Sequence, residues 1–169
     1  MMGVIEKTIP KPCPGREITL DIRDPRQKSI LEVLQGSRIF ARLWRAILAS
    51  DLDEVLEGQG PFTLLAPDNR AFDFMLLNSD EGILKNKLSL TEILNYHVLL
   101  DRASVEDLVN MEYAKTLCGQ MLTISVQRGF VWLDRAKLIK GDIACANGTI
   151  HVIDSLLMPD TIEIWKNEY

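Results

Sequence analysis

The side chains in this chain that could carry chemistry are few. There are two histidines, His97 and His151, and three cysteines, Cys13, Cys118 and Cys145. A thiol beside an imidazole is the most economical enzyme these residues could build, with Cys118 or Cys145 as nucleophile and His97 or His151 as base. Neither of those cysteines has an adjacent His or Arg, and the nearest cation in sequence is Lys115, so the local sequence gives no reason for a lowered thiol pKa. The histidines have no second His or Cys at ligand spacing, which leaves a zinc site unsupported. No GxSxG elbow, P-loop or GxGxxG is present, and no cofactor is implied. The stretch Asn78-Ser79-Asp80-Glu81-Gly82 lacks the oxygen donors and spacing of a calcium loop. The odd cysteine count leaves at least one free thiol within a single chain; a Cys118–Cys145 bridge is open, and idle or buried thiols are the plainer reading.

Tyr96-His97 and the helix-borne Arg38, Arg42 and Arg45 are the remaining polar groups of note. Tyr96-His97 reads either as a recognition pair or as a histidine buried at a helix-to-strand junction and satisfied by backbone or a carboxylate. The arginines read as a solvated face beside Asp51, Asp53 and Glu54. Trp44 falls on an apolar stripe and reads as core.

The elements that must position these groups follow from hydropathy. The chain has 169 residues, 47% hydrophobic and 25% charged, and a net charge of −5. That is the size and balance of one globular domain with its own core, and too apolar for a disordered chain. The acidic balance disfavours nucleic acid as a main partner. No apolar run exceeds four residues, so no membrane insertion is expected. Met1–Lys7 has no apolar leader.

Pro10, Pro12 and Pro14 make residues 1–23 an arm, with a short strand over Glu17–Ile22. Asp24-Pro25 reads as a helix start, with Ile30, Leu31, Val33 and Leu34 as its apolar face and Gly36 as its stop. Ser37 caps a helix striped by Ile39, Phe40, Leu43, Trp44, Ile47 and Leu48. Asp51 caps a short helix through Leu56. Phe62–Pro67 is a buried strand, and Asp68 caps a helix with Ala71, Phe72, Met75 and Leu76. A helix through Thr91–Leu94 turns β-like at Asn95–Leu99, and Ser104–Asp107 has capping-box spacing. Strands follow over Met121–Val126, Phe130–Leu133, Leu138–Ile143 and Thr149–Asp154, with turns at Arg128-Gly129 and Asn147-Gly148. Helices followed by strands predict an α+β fold with a mostly antiparallel sheet.

Three segments, in order, resemble the fasciclin domain family. Phe62-Thr63-Leu64-Leu65-Ala66-Pro67-Asp68-Asn69-Arg70-Ala71-Phe72 is similar to that family's first motif. Ile93–Leu99 is similar to its Tyr-His segment, and Asp142–Pro159 to its second motif. The resemblance covers about residues 37–159 and leaves 1–36 as an arm with an extra helix and 160–169 as a tail. It implies a wedge of two small β-sheets with helices packed from the first half, and the first and last motifs in neighbouring strands. It also implies a non-enzymatic adhesion and interaction module of the cell surface, periplasm or extracellular matrix. Without a leader in this chain, the cytoplasm stays open. Some members bind integrins through an Asp-Ile pair and the Tyr-His segment. The matching positions are Asp142-Ile143 and Tyr96-His97, and these four residues are the expected protein-docking site. A small-ligand or glycan binder that uses the wedge is the alternative.

Overall fold

A computed structural model describes residues 28–78 and 85–160. The proline-rich arm, the Glu17–Ile22 strand, the Asp24-Pro25 helix start, the loop from Ser79 to Gly82, Cys13 and the tail beyond Asp160 lie outside the described residues.

Helix α1, Ile30–Gly36, starts at Ser29, whose hydroxyl accepts the Glu32 N–H while Glu32 reaches back to the Ser29 N–H. This reciprocal cap satisfies two donors that the first helical turn would leave unpaired. Ile30 and Leu34, one turn apart, are fully buried. A 3₁₀ turn over Arg38–Phe40 leads into α2, Ala41–Ser50, which turns Leu43 and Ile47 inward. The predicted stripe is wider than the buried face. Ile39 and Leu48 remain 51% and 46% exposed, while Trp44 packs half-buried against the core.

Helix α3, Leu52–Leu56, follows Asp51. Asp51 does not cap it as expected. Its backbone is left-handed, with φ 59°, and its carboxylate pairs with Lys87 instead. Strand β1, Phe62–Pro67, runs into α4, Asn69–Asn78, where the Asp68 carboxylate caps the Ala71 N–H at 3.0 Å. Helix α5, Lys87–Tyr96, leads through His97 into β2, Val98–Leu99. Helix α6, Val105–Val109, has the Ser104–Asp107 capping box. The remaining strands are β3, Tyr113–Lys115; β4, Met121–Gln127; β5, Phe130–Leu133; β6, Ala136–Cys145; and β7, Gly148–Ile153.

All seven strands join one hydrogen-bonded order, β2-β1-β7-β6-β5-β4-β3, where two small sheets were expected. Strand β6 is shared by both halves and carries two register shifts between Leu138 and Ile143. The first and last motifs are neighbours: β1 and β7 pair in parallel, with Leu64 opposite Ile150. Every other strand pair is antiparallel. One apolar cluster lies where α1 and α2 meet β1 and β7, and a second gathers Leu65, Tyr96, Leu108, Leu122 and Leu133.

The β6–β7 hairpin turns one residue earlier than Asn147-Gly148 predicts. Cys145 pairs with Gly148, so Ala146 and Asn147 form the loop. Asn147 is turned inward, and its amide holds Leu56 O, Gly58 O and the Ile30 N–H. Gly148 is needed for close approach, since a Cβ there would run into the Phe62 carbonyl oxygen of β1. The Arg128-Gly129 turn forms as expected, both residues having positive φ, as a two-residue hairpin loop requires.

Candidate functional site

Both histidines are buried, and backbone groups occupy both nitrogens of each ring. His97 Nδ1 lies 2.7 Å from Ile93 O, and its Nε2 lies 3.0 Å from the Leu157 nitrogen. A carbonyl can only accept and an amide N–H can only donate, so Nδ1 carries the proton and Nε2 the lone pair. His151 has the opposite tautomer: Nε2 donates to Ala103 O at 2.7 Å and Nδ1 accepts the Asp142 N–H at 3.1 Å. Burial lowers the His97 pKa to about 4, partly opposed by the bond to Ile93 O. It lowers His151 as well, against the opposing pull of Ala103 O and the Asp142 carboxylate. Each ring is a neutral strut between chain segments.

Tyr96 is also buried apart from its tip. Its hydroxyl donates to Asp134 Oδ2 at 2.5 Å, and burial followed by this bond pushes its pKa far up. Asp134 accepts the Thr123 N–H through its other oxygen at 2.9 Å. Tyr96, Asp134 and Arg135 edge a cleft of about 650 Å³ between α4, β4 and residues 155–160, with Phe74, Met75 and Met158 on its apolar side.

Asp142 sits in β6 with φ 61°, a conformation that Asp and Asn tolerate better than most residues. Its Oδ1 accepts the Val105 N–H at 2.9 Å and so holds the first turn of α6. The neighbouring Gly141 leaves room for Val105, whose Cγ2 would collide with any Cβ there. Ile143 pairs with Ile150 across the ladder and packs, half-buried, against the first apolar cluster.

The four expected docking residues thus divide. Tyr96 and His97 lie inside, Asp142 is exposed, and Ile143 is intermediate. A backbone path nevertheless connects the two pairs. The Leu65 N–H donates to His97 O at 2.8 Å, Leu65 stands opposite His151, and His151 receives the Asp142 N–H.

The cysteine–histidine pairing is not assembled from these groups. Cys118 and Cys145 are both free thiols, so the open Cys118–Cys145 bridge is absent. Burial pushes the Cys145 thiol up to about 11, and its Sγ faces Ile143 O at 3.7 Å. Cys118 Sγ lies 3.1 Å from Thr116 Oγ1. Of the three arginines read as a solvated face, Arg42 pairs with Asp73 at 2.6 Å. Among the described residues, no group of three His, Cys, Asp or Glu side chains is placed to hold a metal ion, and no helix is long and apolar enough to cross a membrane. Sequence reasoning missed Asp134 and Asn147 as structural ligands. The Asn147-Gly148 signal marked the right place for the wrong reason.

Comparison with known proteins agrees with this geometry. A family model for the Fasciclin domain matches residues 38–159. Protein sll1483 of Synechocystis sp. is 38% identical over 133 residues, which are 78% of this chain and 73% of that protein. Transforming growth factor-beta-induced protein ig-h3 of Sus scrofa is 32% identical over 86% of this chain, which spans 21% of the larger protein. Periostin of Homo sapiens is 30% identical over 79% of this chain and 16% of its own length. The FAS1 domain pair of the insect cell adhesion molecule Fasciclin I shares the fold, with a TM-score of 0.69 at 18% identity, over 79% of this chain and 52% of that one. With the family model matched over most of the chain and both signature strands paired side by side, the chain belongs to the fasciclin domain family.

Proposed function

We propose that this domain is a non-catalytic interaction module that binds a protein partner across the surface centred on Asp142 and Ile143. Tyr96 and His97 act behind that surface as positioning residues. The observation that carries this reading is the state of Asp142. One carboxylate oxygen caps α6, while the residue remains exposed beside a half-buried aliphatic side chain. An outward carboxylate next to a small apolar anchor is suited to recognition, because it can meet a cation or donor on the partner while Ile143 adds buried area. The histidines, in contrast, are engaged at both nitrogens, and the Cys145 thiol is pushed away from ionisation. Those features favour docking over nucleophilic chemistry. Membership of a family with adhesion-related relatives supports the same reading and a place outside the cell or at its surface.

The test uses purified extracellular proteins immobilised as a panel, with an integrin ectodomain among them. Wild type, Asp142→Asn and Ile143→Ser are compared. Asn keeps the α6 cap and the left-handed backbone but removes the charge. A partner that loses roughly tenfold affinity with either variant, at unchanged melting temperature for Asp142→Asn and with a folded domain of lowered melting temperature for Ile143→Ser, which also loses packing against the first apolar cluster, is the expected result. A protein ligand indifferent to both changes would remove this surface from consideration.

The cleft beside Tyr96 favours a second reading, a small apolar ligand held against Phe74 and Met158. Its volume is in the range of small-molecule sites. Saturable quenching of a fluorescent apolar probe, abolished by Phe74→Asp, would support it.

A further inference from the structure

Residues 113–141 run against the charge of the whole chain. They hold Lys115, Arg128, Arg135, Lys137 and Lys140 against one acid, Asp134, in a chain of net charge −5. Asp134 is already engaged by Tyr96 and the Thr123 N–H. The ion pairs Arg42–Asp73 and Lys87–Asp51 use none of these five cations.

The sheet sorts these groups by face. Ala114, Leu122, Ile124, Leu133 and Ala136 are buried in the second cluster. Alternation along β3, β4, β5 and β6 therefore turns Tyr113, Lys115, Ser125, Trp132 and Lys137 to the other side. The register lines them up: Tyr113 stands opposite Thr123, Ser125 opposite Trp132, and Trp132 opposite Lys137. Tyr113 is 57% exposed and Phe130 47%, and the Lys137 ammonium sits 3.4 Å above the Phe130 ring. Arg128 stands at the β4–β5 turn.

We propose that this outer sheet face binds an acidic polysaccharide. The claim goes beyond the protein-docking reading and uses different residues. From β3 to β6 the face spans three strand spacings, about 14 Å, so its occupant is extended and carries several charges. Ring faces interleaved with ammonium groups match a chain of sugar rings, whose flat C–H faces lie on the aromatics while carboxylates or sulfates at their edges meet the cations. Charge complementarity is local: the face is cationic although the molecule is not. Duplex nucleic acid fits less well, because its dense charge meets the repulsion of the remaining surface. An anionic bilayer fits less well too, because Trp132 lies half-buried between Ser125 and Lys137 and does not project for insertion.

The experiment measures binding of the full chain to immobilised polygalacturonate at low and moderate salt. Neutral dextran, a single-stranded oligothymidine and phosphatidylserine vesicles form the other arms. The expected result is salt-sensitive binding to polygalacturonate with little to dextran, and roughly tenfold weaker binding by Lys115→Gln/Lys137→Gln/Lys140→Gln. Tyr113→Ala, an exposed single change, is expected to weaken binding while leaving the salt dependence as it was. Asp142→Asn is expected to bind polygalacturonate normally, which separates this face from the protein-docking surface. Equal binding by wild type and both the triple and Tyr113 variants overturns the proposal. Equal retention on dextran, or tighter binding to oligothymidine or the vesicles, also overturns it.

Discussion

Acidification tests the role given to His97 most directly. Its imidazole is fully buried, donates from Nδ1 to Ile93 O and accepts the Leu157 N–H at Nε2. Protonating Nε2 would set two N–H groups against each other, so the fold holds the ring neutral, with a pKa of about 4 against an ordinary 6.5. The unfolded chain therefore takes up a proton through pH 6.5 that the native state refuses until about 4. Stability is complete above the unfolded value and declines as pH falls toward the folded one. The gap of about 2.5 pH units corresponds to about 3 kcal/mol, of which roughly 2 is already lost at pH 5. His151, also lowered, adds to the decline in the same direction. Urea unfolding at steps between pH 7.5 and 5 reads the effect before most carboxylates titrate. His97→Gln is expected to be less stable at pH 7.5 by about 1–3 kcal/mol, through unsatisfied partners, and to show a flatter dependence below pH 6.5. A wild-type midpoint that does not move between pH 7 and 5, or an unchanged slope in His97→Gln, would refute the argument.

Further outcomes follow from the same geometry. A long-range proton–nitrogen spectrum at pH 7 should show His97 as the Nδ1–H tautomer and His151 as the Nε2–H tautomer; identical tautomers would contradict the bonding. Asp142→Ala should lose about 1–3 kcal/mol of stability to urea through the lost α6 cap and left-handed strain, whereas Asp142→Asn should lose little. Asn147→Ala should cost about 2–4 kcal/mol, because Leu56 O, Gly58 O and the Ile30 N–H all lose their partner; a cost under 1 kcal/mol would show that water replaces the amide. At pH 8, alkylation of Cys145 followed by mass spectrometry should be roughly a hundredfold slower folded than in urea, and equal rates would contradict a thiol pKa near 11.

Parts of this architecture were legible because their signals are local. The Ser104–Asp107 cap, the Asp68 cap and the Arg128-Gly129 turn each need only a few neighbouring residues, and each formed where predicted. The β1–β7 pairing is long-range, but two whole motifs marked it: the strands are neighbours as the resemblance implies, and the structure adds the register, with Leu64 opposite Ile150. What stayed hidden depends on partners distant in sequence. Nothing near Asp51 reveals that Lys87 draws off its carboxylate, and nothing near Asn147 reveals that Leu56, Gly58 and Ile30 converge on its amide. The half-exposed Ile39 and Leu48 show the same limit: a helical stripe reports amphipathicity, while the width of its buried face is set by what packs against it.

The Tyr-His and Asp-Ile pairs gain a joint meaning from this arrangement. Each supplies a group that fixes one segment leaving the sheet. His97 holds the chain at Leu157, and Asp142 holds the start of α6 while its own N–H is held by His151. Leu65 stands between them, bonded to His97 O on one side and opposite His151 on the other. A disturbance at His97 therefore has a route through three adjacent strands to the one exposed carboxylate among the four residues. The consequence separates a positioning residue from a contact residue. His97→Gln should weaken partner binding only under conditions that also loosen α6, and amide exchange at Val105 should rise with it. Asp142→Asn should weaken binding with Val105 exchange unchanged. If His97→Gln left Val105 protection intact yet abolished binding, the imidazole would have to act on the partner by some direct route, which its burial forbids.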